Sequence, residues 1–327
     1  MNLIEVTRKF ASKQACLDYL AAMRWPDGVT CAKCGVIGDE HFRKFETNET
    51  TRTRFSKRKG KTVTVKVPSR SLYECKGCGY QFSATTGTIF HDSHLPLEKW
   101  FMAIALILEA KKGISALQVG RHLGISQANY RTVWYLCHRI REATQETGLL
   151  TGIVEADDTV LAPKKPRKGK PHVKKAKHDM VLGMIERGGR LRMVPIRDTK
   201  MEIIEPLIEK HVSPDATFQS DEHATYFIIG KRRFPGRNRT IDHSRSYAIG
   251  DNYTNSIENA FSLLKRGVYG TFHKVSIKHL GRYCNEFSYR FNRRGNQPEM
   301  FGETVKGLLK GNPLPLKKLV ASETSES

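Results

Sequence analysis

Gly152 to Leu161, GIVEADDTVL, is a strand-like apolar run that carries three acids, Glu155, Asp157 and Asp158. A buried strand rarely tolerates such a cluster unless the charges face a functional cleft. Downstream, MVLGMIER and RLRMVPI flank Gly188-Gly189, which reads as a hairpin. Lys200 to His211 has the helical spacing of Ile203, Ile204, Leu207 and Ile208, and Ala216 to Ser220 is a short strand ending in Asp221.

Strand, hairpin, helix and strand, with one Asp on the first strand and another closing the fourth, is the layout of an RNase H-like fold. A third carboxylate then belongs on a later helix. Thr254 to Val268, TNSIENAFSLLKRGV, supplies one, with Ile257, Phe261, Leu264 and Val268 as its buried stripe. Glu258 borders that stripe, with Asn255 one turn before it and Lys265 about two turns after, on a similar side. Asp157, Asp221 and Glu258 are separated by 63 and 36 residues. Brought together, three carboxylates can hold two divalent cations ~3.5–4 Å apart, one activating the attacking oxygen and one stabilising the leaving oxygen of a phosphodiester. Oxygen-only ligands suit Mg²⁺, with Mn²⁺ as a substitute. On spacing alone each acid has an ordinary surface reading as well.

Upstream of this α/β region, ISALQVGRHLGISQANYRTVWYLCHRIREA has a helix-turn-helix layout. Ser115 to His122 forms a first helix presenting Leu117, Val119 and Leu123. Gly124 to Ser126 makes the turn, and Ser126 caps a second helix with Val133, Leu136, Cys137 and Ile140 as core. Gln127, Asn129 and Arg131 near its start suit base edges and phosphates. Short helix pairs with a Gly turn also occur in cores that never meet DNA. Leu97 to Ala110, apolar nearly throughout, is a core helix.

Four of the seven cysteines form two C-x-x-C-G knuckles, Cys31/Cys34 and Cys75/Cys78, with 40 residues between them. A two-residue spacer lets two thiolates converge on one tetrahedral ion, and the glycine permits the tight turn. The four are read as ligands of one structural zinc. A redox C-x-x-C would leave the second matched pair unexplained. Cys16, Cys137 and Cys284 lie in apolar stretches and read as small buried hydrophobes. Between the knuckles, KTVTVKV (61–67) alternates with a strand's period, and residues 43–70 carry ten Lys/Arg against Glu46 and Glu49, a phosphate-contacting surface. Residues 1–22 carry a helical pattern with Phe10, Cys16, Leu17, Leu20 and, just beyond, Met23 on one face.

The 327 residues carry 55 Lys plus Arg against 33 Asp plus Glu, a net charge of +22, and are 39% hydrophobic. Wholesale disorder is excluded, and the excess charge needs a polyanion. No run approaches ~18 uninterrupted apolar residues and MNLIEVTRKF lacks a signal-peptide core, so a membrane partner gives way to nucleic acid. The domains are expected at 1–90 (N-terminal helix and zinc ribbon), 91–148 (helix-turn-helix region) and 150–315 (α/β, RNase H-like mixed sheet flanked by helices), with 316–327 as a disordered tail.

WPDGVTCAKCG (25–35), YECKGCGYQFSATTGTIF (73–90), VEADDT (154–159), SDEHATY (220–226) and NSIENAFSLLKRGVYGTFHKVSIKHLGRYCNEFSYRFNRR (255–294) resemble the insertion-sequence transposases with an N-terminal zinc ribbon and an RNase H-like DDE catalytic domain, the ISXO-type group. The resemblance implies that Asp157, Asp221 and Glu258 are the catalytic metal-holding acids, with Asn255 belonging to the same helical signature. Where the family has Glu after its first Asp, this chain has Asp158. Its glycine-rich segment after the first strand is replaced by APKKPRKGKPHVKKAK, with eight Lys/Arg between 164 and 177. His243 and His273 fall in matching segments, where steadying a phosphate or a metal-bound water and plain structural hydrogen bonding are both open. The implied protein is a DNA transposase of the bacterial cytoplasm and nucleoid. It binds double-stranded DNA, both terminal inverted repeats and target, as a homo-oligomer, and uses Mg²⁺ for cleavage and strand transfer. A domesticated DNA-binding regulator and a metal-dependent nuclease without joining activity are the alternatives.

Overall fold

The computed structural model describes residues 1–56, 60–161, 179–221, 223–241 and 255–321. The chain divides into two compact units: 4–101 with 305–315, and 102–304 with both termini.

The first unit begins with helices α1 (Leu3–Lys9) and α2 (Lys13–Arg24). The single helical pattern expected over 1–22 is thus broken. Ser12 leaves the helix and its hydroxyl accepts the Ala15 N–H at 3.2 Å, an N-cap that starts α2 afresh. Phe10, Cys16 and Leu20 are buried as expected, whereas Leu17 and Met23 are only half-buried. A small sheet follows, in the order β1 (Phe42–Glu46), β4 (Ser71–Cys75), β5 (Gln81–Phe82), all antiparallel. Its core is Val29, Cys31, Phe42, Cys75 and Phe82, with Trp25, Tyr73 and Tyr80 packed against it. Inserted between β1 and β4 is a separate two-stranded ribbon of β2 (Thr50–Ser56) and β3 (Lys61–Val67).

Helix α3 (Leu97–Glu109) leads into the second unit. There α4 (Ala116–His122) and α5 (Tyr130–Glu142) form the expected helix pair. Ser115 caps α4 through the Gln118 N–H, Gly124 turns with φ +61°, and a short 3₁₀ turn at Gln127–Asn129, capped by Ser126, enters α5. Val119, Leu123, Val133, Leu136, Cys137 and Ile140 are all buried. Leu117 is not, because residues two apart on a helix point to nearly opposite sides and Val119 takes the packed one. Arg141 on α5 and Arg290 on α9 (Ile277–Asn292) share the buried Glu286, at 2.6 and 3.0 Å. A buried carboxylate requires such partners, so this triad fixes α5 to α9.

The sheet of this unit has five strands in the order β10 (Asn238–Ile241), β9 (Thr217–Asp221), β6 (Ile153–Leu161), β7 (Asp179–Glu186), β8 (Leu191–Ile196). β6, β7 and β8 are antiparallel neighbours, while β9 and β10 run parallel to β6. One face packs on α6 (Met201–His211) and α7 (Ala224–Arg233), through Val154, Ala156, Leu182, Phe218, Ile204 and Tyr226. The other packs on α8 (Asn255–Gly267) and α9, through Val181, Met193, Ile257, Phe261 and Leu280. This three-layer mixed sheet is the RNase H-like fold. α7 and β10 went unread in the sequence, since YFIIGKRRF has no clean period. α10 (Gln297–Lys310) follows α9. Residues 316–320, expected within a disordered tail, form α11 (Leu316–Val320), where Leu319 finds a buried position for an apolar side chain. Residues 322–327 lie outside the described part, as do the basic segment 164–177 and His243. Among the described residues no helix is long and apolar enough to cross a membrane.

Candidate active site

Parallel pairing of β6 with β9 runs from Ile153↔Thr217 to Ala156↔Ser220. One residue further along each strand stand Asp157 and Asp221, so the register sets the two acids side by side at the end of the paired stretch. Strand alternation puts Asp157 on the face of Glu155, and Asp221 on the face of Gln219. That is the α8 side. Across the sheet from Asp157 lies Gly183, where a Cβ would meet Ile257 Cδ1 at 2.6 Å and Phe261 Cε1 at 2.7 Å, so glycine alone lets α8 lie this close. Glu258 is exposed in the first turn of that helix.

Burial and then the charges of Asp221, Asp158 and Glu258 push the Asp157 carboxyl up to about 7, partly opposed by the Asp158 N–H it accepts at 2.7 Å. All three expected acids are therefore near enough for Asp157 to feel the other two. Their oxygens are not drawn together to ligand spacing. Among the described residues, the four cysteines form the one group of three or more metal-binding side chains with that spacing. Asp158 points to the opposite face, where the buried Tyr226 hydroxyl donates to it at 2.9 Å. Burial raises Asp158 and Tyr226 alike. Asp221 also accepts the His223 N–H at 3.2 Å, turning the chain toward α7.

Glu155 is a site residue whose role the sequence did not reveal. It is wholly buried instead of facing the cleft. Its carboxylate accepts the backbone N–H groups of Ser256 and Ile257 at 3.0 and 3.2 Å and the Ser256 hydroxyl at 3.0 Å. Arg187 reaches it at 3.4 Å and donates to Gln219 at 2.6 Å. A carboxylate from the central strand thus satisfies the open N–H groups that begin α8, and fixes the turn carrying Glu258. The signal was present as an acid two residues before Asp157, but its partners lie 101 and 102 residues away. Lys265 is half-buried on α8. Gln127, Asn129 and Arg131 are exposed at the start of α5. His273 is exposed, with φ +58° after a π-turn.

In the first unit the two knuckles repeat one geometry. Cys31 N–H donates to Val36 O and Gly35 N–H to Cys31 O, and likewise Cys75 to Tyr80 O and Gly79 to Cys75 O, at 2.8–3.0 Å. Gly35 and Gly79 take φ +78° and +67°, open only to glycine without strain. The four Sγ atoms lie within 4.8 Å of one another, with Cys31–Cys78 at 3.7 Å and Cys34–Cys75 at 3.6 Å. Four thiolates ~2.3 Å from a central tetrahedral ion stand ~3.8 Å apart. The cluster fits a structural metal of the zinc type, and the small sheet is a zinc ribbon.

A zinc ribbon in the same chain as an RNase H-like unit, with acids where two parallel strands stop pairing, defines a class of proteins that act on nucleic acids. Residues 149–292 match the ISXO2-like transposase domain and residues 11–81 the transposase zinc-ribbon domain. Together the two span more than half of the chain, which belongs to this family of zinc-ribbon DDE transposases. It is similar to an uncharacterised protein in transposable element ISH50 of Halobacterium salinarum, with 23% identity over 302 residues, 86% of this chain and 92% of that protein.

Proposed function

We propose that the chain is a DNA transposase in which Asp157, Asp221 and Glu258 form the catalytic centre. The single observation that carries this is the parallel β6–β9 register, which sets Asp157 beside Asp221 on the face covered by the helix of Glu258. The donor set is oxygen-only, half-buried at Asp157 and crowded with like charge, which fits hard divalent cations. Two Mg²⁺ ions, with Mn²⁺ as substitute, would supply activation of the attacking oxygen and charge stabilisation at the leaving oxygen. The three acids hold that position on the sheet. Lys265, on the same side of α8 as Glu258, holds a phosphate. Gln127, Asn129 and Arg131 meet base edges and backbone from the start of α5. Cys31, Cys34, Cys75 and Cys78 hold Zn²⁺, which stabilises the ribbon and takes no part in chemistry.

In the first step water breaks a phosphodiester at the element's end, leaving a 3′-hydroxyl and a 5′-phosphate. That hydroxyl then attacks a target phosphodiester in line, so one P–O bond forms as another breaks, with no energy-carrying cofactor. Pairing of the two ends before joining requires a homo-oligomer on DNA. The test incubates the protein and Mg²⁺ with DNA carrying the element's inverted repeats and a target plasmid. Joined products support the proposal. Cleavage without joining makes the chain a nuclease, and binding with no chemistry makes it a regulator.

A further inference from the structure

The β2–β3 ribbon enters and leaves the zinc-ribbon sheet at one point. Glu46 pairs with Ser71, and just beyond, Thr47 N–H donates to Arg70 O at 2.9 Å while Arg70 N–H donates to the Thr47 hydroxyl at 3.0 Å. Residues 48–69 are therefore an insertion into an otherwise complete hairpin, and account for the long gap between the knuckles. The ladder runs over seven pairs, from Thr50↔Val67 to Ser56↔Lys61. Residues 50–55 are all exposed and β3 is exposed or half-buried throughout, so none of these described side chains is fully buried. A bare two-stranded ribbon is marginal in water and gains from a partner.

Its chemistry selects that partner. TTRTRFS and KTVTVKV contain no acid and four cations, Arg52, Arg54, Lys61 and Lys66. One face lines up Thr53 with Thr64, Thr51 with Lys66, and Thr62 with Phe55, whose ring is 64% exposed. Arg52, Arg54 and Lys61 alternate onto the other face, from which their long stems serve the phosphates of the groove walls. Threonine hydroxyls and methyls suit base edges, and two strands ~4.8 Å apart fit a groove ~12 Å wide. We propose that this arm, Thr50–Ser56 with Lys61–Val67, lies in the major groove of duplex DNA, as a binding element distinct from the zinc site and from α4–α5. The proposal rests on the reading that the chain binds DNA.

Because the arm closes at Thr47 and Arg70, replacing 48–69 with Asn-Gly leaves a plain two-residue hairpin. That full-length variant, and Arg52→Glu/Arg54→Glu in the intact arm, are compared with the parent for zinc content, melting temperature and fluorescence anisotropy. The probes are a short random-sequence duplex and its single strand. Zinc content and melting temperature are expected to hold. Duplex affinity should fall at least about tenfold, and the log–log salt slope by about 2 in Arg52→Glu/Arg54→Glu, from two cations at ~0.9 each. In the deletion, which removes the seven Lys/Arg of 48–69, the slope should fall by up to about 6. The affinity gap between parent and variants should close in methyl green, which fills the major groove, and persist in netropsin, which fills the minor. Unchanged duplex binding by the charge-reversed arm overturns the proposal whatever the deletion does. Equal losses on duplex and single strand, or a gap that netropsin closes, overturn the groove assignment. A parent chain that binds no duplex at low salt sinks the DNA reading and the arm with it.

Discussion

Asp157 feels the charges of Asp221 and Glu258, and burial together with those charges pushes its carboxyl up to about 7. An acid with a raised folded-state pKa binds its proton more tightly in the native chain, so native stability falls as pH rises from ~4 to ~7. Without added Mg²⁺, Asp157→Asn should therefore melt higher than the parent at pH 8 and equally at pH 4. A lower melting point at pH 8 would mean that Asp157 is held by a partner instead of repelled. Glu155 differs in its neighbours, which all support its charge, although burial still outweighs them and leaves its carboxyl raised as well. Glu155→Leu leaves the N–H groups of Ser256 and Ile257 without their acceptor, at a cost of about 1–3 kcal/mol in urea unfolding. It should also depress strand joining by displacing Glu258. Asp157 was legible as a charge in an apolar run. The anchoring role of Glu155 was not, because its environment is made by a helix a hundred residues on.

The closeness of α8 to β7 depends on one missing side chain. Gly183→Ala sets a Cβ against Ile257 and Phe261, and overpacking of this kind costs about 1–3 kcal/mol. Thermal unfolding should show that loss; an unchanged midpoint would mean that the helix shifts freely. At this scale the sequence was readable where periodicity was clean. KTVTVKV is β3, and the stripe of Ile257, Phe261, Leu264 and Val268 is buried along and just past α8. It was not readable at α7, where apolar and basic residues crowd one short helix, or at residue 12, where a capping hydroxyl divides one apolar pattern into two helices.

A net charge of +22 around a carboxyl that feels two neighbouring acids fits two separate tasks in the proposed transposase, attraction of a polyanion and chemistry upon it. If some eight phosphates are neutralised, the logarithm of duplex affinity should fall against the logarithm of salt with a slope of about −7. A flat dependence would mean that the charge serves solubility alone. The composition pointed to the polyanion, and the knuckles and spaced acids pointed to the family. The side-by-side placement of Asp157 and Asp221 needed the parallel register of strands 63 residues apart, which no local pattern encodes.

The central claim is that three acids from β6, β9 and α8 act as one centre. Its most direct test measures strand joining by Asp157→Asn, Asp221→Asn and Glu258→Gln, each checked for parental zinc content and duplex affinity. All three should lose at least ~100-fold in rate, about 3 kcal/mol of transition-state stabilisation. A variant that joins DNA within a few-fold of the parental rate would remove its residue from the centre and contradict the account.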